Sequence, residues 1–147
     1  MVRYFEQKDR EAFLAMAKKF YTMPAVLHEV DPVFFENTFE EIMKGSPYAV
    51  GLIAEYNGEV AGYALLSLTW SNEVGGMVVL IEEAYVEEAF RSCGIGKEIF
   101  SFIRSEFDSR AKRYRLEVTK ENTRAVKLYR ALGYTDLDYG QMILDRV

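Results

Sequence analysis

RSCGIGKEI, residues 91–99, sets an arginine, a serine and two glycines directly ahead of an amphipathic helix. A helix start offers backbone N–H groups that have no intrahelical acceptor, at the positive end of the helix dipole. Glycines let another molecule approach that backbone closely. Arg91 adds a permanent charge with forked donors. The ligand that suits this chemistry is a phosphate. Two common phosphate loops do not fit. A Walker loop needs G-x-x-x-x-G-K-[ST], but here Gly96-Lys97 is followed by Glu98, and Arg91 stands where the first glycine belongs. The dinucleotide pattern G-x-G-x-x-G breaks at Ile99. For this stretch alone, a glycine-rich helix start with no ligand is the alternative.

The pattern on either side of the loop is that of a mixed α/β protein. GGMVVLIEEAYVEE (75–88) reads as a strand leading into the loop. The helix after it puts Ile95, Ile99, Phe102, Ile103 and Phe107 on one side. RYRLEVT (113–119) is a strand, and ENTRAVKLYRALGY (121–134) a short helix with Ala125, Leu128, Tyr129 and Leu132 facing in and Gly133 ending it. YGQMILDRV (139–147) reads as a last strand. Toward the N-terminus, VRYFEQ (2–7) alternates like a strand. DREAFLAMAKKFY (9–21) has Phe13, Ala17, Phe20 and Tyr21 on one helical face. In DPVFFENTFEEIMKG (31–45), Asp31 is placed to cap, Pro32 fits the first turn, Phe35, Thr38, Phe39, Ile42 and Met43 recur at helical spacing, and Gly45 stops the helix. YAVGLIAEYNGEVAGYALLSLTW (48–70) holds two strands joined by Asn57-Gly58, a strong hairpin signal. The predicted order is β-α-α-β-β-β-α-β-α-β in one domain, residues 1–147. Its sheet is antiparallel in front, with a right-handed parallel crossover over residues 77–119 and helices on both faces.

Composition narrows the function. The chain has 147 residues, half hydrophobic and 14% aromatic, which suits one globular core. A net charge of −5 argues against nucleic acid as the main partner. Cys93 is the only cysteine and His28 the only histidine, so neither a disulfide nor a Cys/His metal cluster is expected. MVRYFEQKDREAF lacks the apolar run of a signal peptide and no stretch reaches membrane-spanning length, so the expected setting is the cytoplasm, with no membrane partner.

The second half carries a resemblance. R-x-x-G-x-G at 91–96, preceded by a strand ending AYV and followed by a strand running into N-T-R-A-V-K-L-Y-R-A-L-G-Y, resembles the GNAT N-acetyltransferase superfamily. The motif match covers residues 77–134, and the element order fits the whole chain. The resemblance implies the GNAT acyl-CoA acyltransferase fold, acetyl-CoA as co-substrate and no metal. It assigns Arg91, Ser92, Cys93, Gly94, Ile95, Gly96 and Lys97 to the pyrophosphate, and the backbone of Ala84, Tyr85 and Val86 to the pantetheine arm, as an added strand. Val86 N–H would donate to the acetyl oxygen. Asn122 would lie near the cofactor and Tyr129 near its sulfur. Where this loop has Ser92, the family usually has glycine. Because serine has a Cβ, an ordinary φ is expected there. Within the family, EEAYVEEAFRSCGIG is most similar to diamine and other small-amine acetyltransferases, which implies substrate contacts from Glu83 and Trp70. Family habit also implies a homodimer.

Acetyl transfer to an amine needs a neutral nucleophile, a polarised carbonyl and a proton for the departing thiolate. Freeing an alkylamine near neutral pH costs roughly 4 kcal/mol. By resemblance Glu82 is the base, acting through water, and Glu83 holds a cationic substrate. Strand alternation is expected to send the two to opposite faces. Tyr129, with an ordinary pKa of about 10, suits the acid, although a core aromatic at that position is the plainer reading. Asn122 can also cap its helix. Cys93 is not needed as a nucleophile, since direct attack in a ternary complex requires no acyl-enzyme. Phe34, Phe35, Phe39, Tyr21 and Trp70 are placed to line an acceptor pocket, although aromatics at helical spacing are more often core. The reaction expected is transfer to a small primary amine, with polyamines favoured. A protein N-acetyltransferase and a non-catalytic acetyl-CoA-binding module are the rivals.

Overall fold

The computed structural model of the protein describes residues 1–24 and 26–146. Among them the elements run β1 (Val2–Tyr4), α1 (Arg10–Phe20), α2 (Val33–Met43), β2 (Ala49–Tyr56), β3 (Glu59–Ser71), β4 (Gly76–Val86), α3 (Ile95–Phe107), β5 (Ala111–Leu116) and α4 (Thr123–Ala131). They fall into two compact units, Met1–Glu117 and the segment from Val118 onward.

The first unit is built on a sheet of strand order β1-β2-β3-β4-β5. The first four strands pair antiparallel, and β4 pairs parallel with β5 across the α3 connection. This is the mixed, mostly antiparallel sheet expected from the sequence. The Asn57-Gly58 turn closes the β2–β3 hairpin with φ of 51° and 81°, both positive as a tight primed turn requires. Helices lie on both faces, and two neighbouring residues of the first strand region mark them. The Tyr4 hydroxyl donates to Glu106 of α3 at 2.8 Å, while the Phe5 ring packs on Phe13 of α1 at 5.1 Å and Phe39 of α2 at 5.6 Å.

The core on the α1/α2 side joins Phe13, Met16, Ala17, Phe35 and Phe39 to Ile53, Tyr63 and Tyr85 of the sheet. The predicted helical faces are largely those that are buried, with Phe20 and Tyr21 half-exposed at the end of α1. On α3, Phe100 is buried and Phe102 only half-buried, a shift of the predicted stripe that leaves the Phe102 ring in a T-shaped contact with Tyr4 at 6.0 Å. Asp31 accepts from Val33 N–H at 3.0 Å to start α2, and Gly45 ends it at φ 86°.

The start of α1 is fixed by a buried ion pair. Arg3 donates to both Asp9 oxygens at 2.7 and 2.9 Å and to Glu55 at 2.7 Å, and the Glu6 N–H donates to Asp9 at 2.7 Å. Asp9 is only 2% exposed. Burial alone would raise its pKa, but the Arg3 guanidinium and the Glu6 amide outweigh that and hold it below the ordinary carboxylate value.

In the second unit, Asn122 accepts from Ala125 N–H at 3.3 Å and so caps α4, and Gly133 follows the helix at φ 95°. The predicted inward face of α4 is half-buried at most. The strand expected at 139–147 does not form over the described residues to 146. A strand needs a ladder partner, and Met142, Ile143 and Leu144 form a continuous apolar run without alternation and lie 98%, 78% and 91% exposed. Residue 147 lies outside the described residues.

Asp9→Asn removes one of the two carboxylates that pair with the Arg3 guanidinium, leaving Glu55 as its acid partner, and is expected to lower unfolding free energy by about 2 kcal/mol, read from urea denaturation near neutral pH. The carboxylate's contribution is present above the unfolded pKa and is lost as pH falls through the depressed folded value. The gap between variant and parent should therefore narrow below about pH 4.

Candidate functional site

The site is organised by one extra residue in β4. Leu65 pairs with Glu83, but its neighbour Leu66 pairs with Ile81, so Glu82 has no partner across β3. This β-bulge changes which way the strand faces. Leu66 lies on the same face as Leu52, opposite to Ile53 and Tyr63, so Ile81 points to the α3 side. Leu65 packs with the α1/α2 core, so Glu83 points there. Glu82 accepts from the Ser67 hydroxyl at 2.8 Å, and Ser67 lies two residues along from Leu65 on the same face. Both carboxylates therefore sit on one side of the sheet, not on opposite faces as strict alternation predicts.

At the same point β4 loses its other neighbour. The parallel ladder to β5 ends at Ile81 and Leu116, whereas the ladder to β3 continues to Val86. Glu87 N–H donates to the Ala61 carbonyl at 2.8 Å. Bonded positions alternate along an antiparallel ladder, so Tyr85 and Glu83 also bond β3, and the peptide groups of Ala84 and Val86 turn toward the side that β5 has left. The Val86 carbonyl there accepts from Arg91 Nε at 3.1 Å. Gly62 lets β3 come close at this level, since a Cβ on it would fall 2.3 Å from the Tyr85 carbonyl oxygen.

The glycine loop follows directly. A short turn, Glu88–Phe90, leads to Arg91, whose guanidinium lies 5.9 Å from the Tyr85 ring centre. Gly94 takes φ 81° as the residue before α3, and Glu98 N–H is the first to bond back to it, at 3.1 Å. The amides of Ile95, Gly96 and Lys97 thus precede the first intrahelical bond. Ser92 does not keep the ordinary φ expected of it. It sits at φ 66°, in the left-handed region that favours glycine, because the chain must turn out of extended Arg91 into the helix within three residues. Cys93 is exposed, with its sulfur 3.8 Å from the Arg91 carbonyl.

Glu83 and Glu82 differ sharply in surroundings. Glu82 is exposed. Glu83 is buried, and its two oxygens accept from different phenols, Tyr21 at the end of α1 and Tyr63 of β3, the latter at 2.6 Å. Burial raises the Glu83 pKa and nearby Glu82 adds to the rise, while the two hydroxyls pull it back. Both tyrosines are themselves pushed up, chiefly by burial. Tyr63 carries no sequence signal for this role, since its partner lies 20 residues away across a bulge.

Trp70 and His28 lie away from the two carboxylates in the first unit. Trp70 is 72% exposed and pairs with Met77 near the β3–β4 turn, five residues or about 17 Å along β3 from the level of Glu83. The structure does not bring the two together. His28 is exposed between α1 and α2. Asn122 and Tyr129 belong to the second unit. There the Tyr129 ring lies 6.0 Å from that of Tyr134, and burial raises its pKa. Among the described residues no cluster of three or more His, Cys, Asp or Glu is placed to hold a metal ion, and no helix is long and apolar enough to cross a membrane.

The profile of the acetyltransferase (GNAT) family matches residues 10–134. The chain belongs to that family. Thialysine N-epsilon-acetyltransferase of Bos taurus is 37% identical over 79 residues, which cover 53% of this chain and 46% of that protein. The Sus scrofa protein of the same name is 34% identical with the same coverage. The chain thus matches less than half the length of these curated relatives. Among solved structures, a possible acetyltransferase from Clostridium difficile 630 has a TM-score of 0.85 at 19% identity, covering 100% of this chain and 97% of that one. An aminoglycoside N-acetyltransferase in complex with CoA has a TM-score of 0.80 at 20% identity, covering 100% and 95%. At these identities the solved structures establish the GNAT fold alone.

Because a Cβ at φ near +60° costs roughly 1–2 kcal/mol, Ser92→Gly is expected to raise unfolding free energy by about 1 kcal/mol. Thermal melting of the two proteins side by side checks this.

Proposed function

We propose that residues 1–147 act as one acetyl-CoA-dependent N-acetyltransferase domain that moves an acetyl group to a primary amine of a small molecule by direct attack in a ternary complex. The observation that carries this reading is the open peptide edge of Ala84 and Val86 beside the glycine-lined start of α3. An extended arm bearing amides fits such an edge as an added strand. Two linked phosphates fit the amides of residues 95–97 with the outer nitrogens of Arg91, whose Nε is already bound to Val86. In this reading Ala84, Tyr85 and Val86 bind and orient acetyl-CoA, and Val86 N–H faces the acetyl oxygen. Residues 91–97 hold its phosphates, and Asn122 supports the arm.

Glu82 takes the amine proton through water, from a solvent-facing position on the same side of the sheet as Glu83. Tyr129 gives a proton to the departing thiolate, and a phenol whose pKa is raised by burial is held in the protonated form that role needs. Glu83 holds the acceptor's positive charge, which favours a polyamine-like amine. The name of the Bos taurus relative, an acetyl transfer to an ε-nitrogen, agrees with a small primary amine as acceptor. A cytoplasmic homodimer is part of the same reading.

The test is CoA release from acetyl-CoA by the purified protein, with products read by mass across polyamines, amino acids, aminoglycosides and lysine peptides. Turnover on a small amine is expected. Tight acetyl-CoA binding with no turnover on any acceptor would point instead to a silent CoA-binding module, and turnover on peptides alone to a protein acetyltransferase. Tyr129→Phe removes one hydroxyl and little packing. It is expected to lower kcat by about 100-fold, within the usual range for a lost general acid, while the acetyl-CoA dissociation constant from calorimetry stays within about twofold.

A further inference from the structure

Glu83 is a buried carboxylate whose partners bring no positive charge. Its oxygens accept from Tyr21 and Tyr63, and among the described residues no lysine, arginine or histidine pairs with it. Burying an anion without a counter-ion is costly, and proteins meet that cost with a cation or with hydrogen bonds. Here two phenols supply the hydrogen bonds and the cation is missing. Each carboxylate oxygen keeps a lone-pair site beyond the one a phenol fills.

The two phenols are not equivalent. Tyr63 is fully buried, edge-on to Phe13 at 5.2 Å and tilted against Tyr85 at 5.9 Å. Tyr21 is half-exposed, follows the last turn of α1, and stacks on Phe35 of α2 at 5.3 Å. It is the member of the trio that meets solvent. The groups facing Glu83 from each packed element are Tyr21 from α1, Tyr63 from β3 and Glu82 from its own strand, while Phe35 of α2, behind Tyr21, is apolar.

We infer that Tyr21 is a positioning residue for the acceptor: its hydroxyl, with that of Tyr63, keeps the Glu83 carboxylate charged and turned toward a second, non-reacting amine of the acceptor. The substrate class is then a diamine, whose remote ammonium supplies the missing counter-charge. This inference rests on the transfer reading above. It adds that recognition of the second amine depends on pH through Glu83. Burial raises the Glu83 pKa, and the Tyr21 bond is one of two that lower it, so losing that bond moves protonation of Glu83 to higher pH.

The test compares cadaverine with pentylamine, which share chain length and reacting group and differ in the second charge. The ratio of their kcat/KM values at saturating acetyl-CoA, followed across the whole pH range in which the protein stays folded, cancels the titration of the reacting amine. For the unaltered protein the ratio should favour cadaverine well beyond the statistical value for two equivalent amines, and should fall as pH drops and Glu83 protonates. Tyr21→Phe keeps the ring on Phe35. A hydrogen bond to a charged group is worth roughly tenfold or more, so that fall should move upward by about one pH unit. Glu83→Gln should bring the ratio to its statistical value across the range. Thermal melting establishes that both variants fold, and either one alone decides the point. A Tyr21→Phe profile that overlays that of the unaltered protein overturns the inference, as does a Glu83→Gln ratio that stays high. Acetylation of both amines with an unmoved ratio removes this inference and leaves the transfer reading standing. Acetylation of neither amine, nor of any other acceptor, removes both.

Discussion

Between Ile81 and Glu83 the strand β4 holds one residue more than β3 can pair, and at the same level it parts from β5. The extra residue, Glu82, turns the strand over, so that the apolar side of Ile81 is followed two residues later by the carboxylate of Glu83 on the opposite face. The loss of β5 leaves the Ala84 and Val86 peptide groups directed into a gap. Of these groups the Val86 carbonyl is already taken by Arg91 Nε. An edge left open in this way offers peptide groups that water or another backbone can bond, without any dedicated side chain.

The loop at 91–97 shares this economy. Arg91 uses Nε to hold the Val86 carbonyl, so the loop that presents backbone N–H groups is pinned to the strand whose edge is open. Ser92 occupies a left-handed conformation to make the turn. Strain of this sort persists where the surrounding structure fixes the chain, and here the fixing comes from Arg91 on one side and α3 on the other. The two carboxylates show the same division of labour in electrostatic terms. Glu82 faces water and one serine, whereas Glu83 faces two phenols in a dry setting. One strand segment thus holds one carboxylate at the surface and one in a dry setting, where burial raises its pKa.

Much of this was legible in the sequence because it is local. Asn57-Gly58, Asp31 with Pro32, Gly45, Asn122 and Gly133 each act within four residues, and each sits where turn and cap chemistry places it. The glycine loop was legible for the same reason. The bulge at Glu82 was not, because adding one residue to a strand changes pairing and leaves composition untouched. The partners of Glu83 were not, because Tyr21 lies 62 residues away in sequence. The φ of Ser92 was misjudged from its Cβ, since a tertiary anchor can hold a non-glycine residue where its own preference would not. The strand expected at 139–147 failed for want of an edge to pair with, which a single segment cannot reveal about itself.

Helix α1 is held at both ends. Asp9 on Arg3 fixes its start, and its last turn grips β4 through Tyr21 on Glu83 and through Lys19 on Glu87 at 2.9 Å. The Lys19 pair is exposed and adds little by itself. Its value is geometric, because the two grips fall on either side of the open Ala84–Val86 edge. A helix advances about 1.5 Å and turns about 100° for each residue. Gaining or losing one residue within α1 would swing Tyr21 a quarter-turn or more away from Glu83 while the Asp9 end stayed fixed. The helix therefore works as a gauge of fixed length. Its eleven residues measure the distance from the first strand to the acid, so a change of length within them is not tolerated.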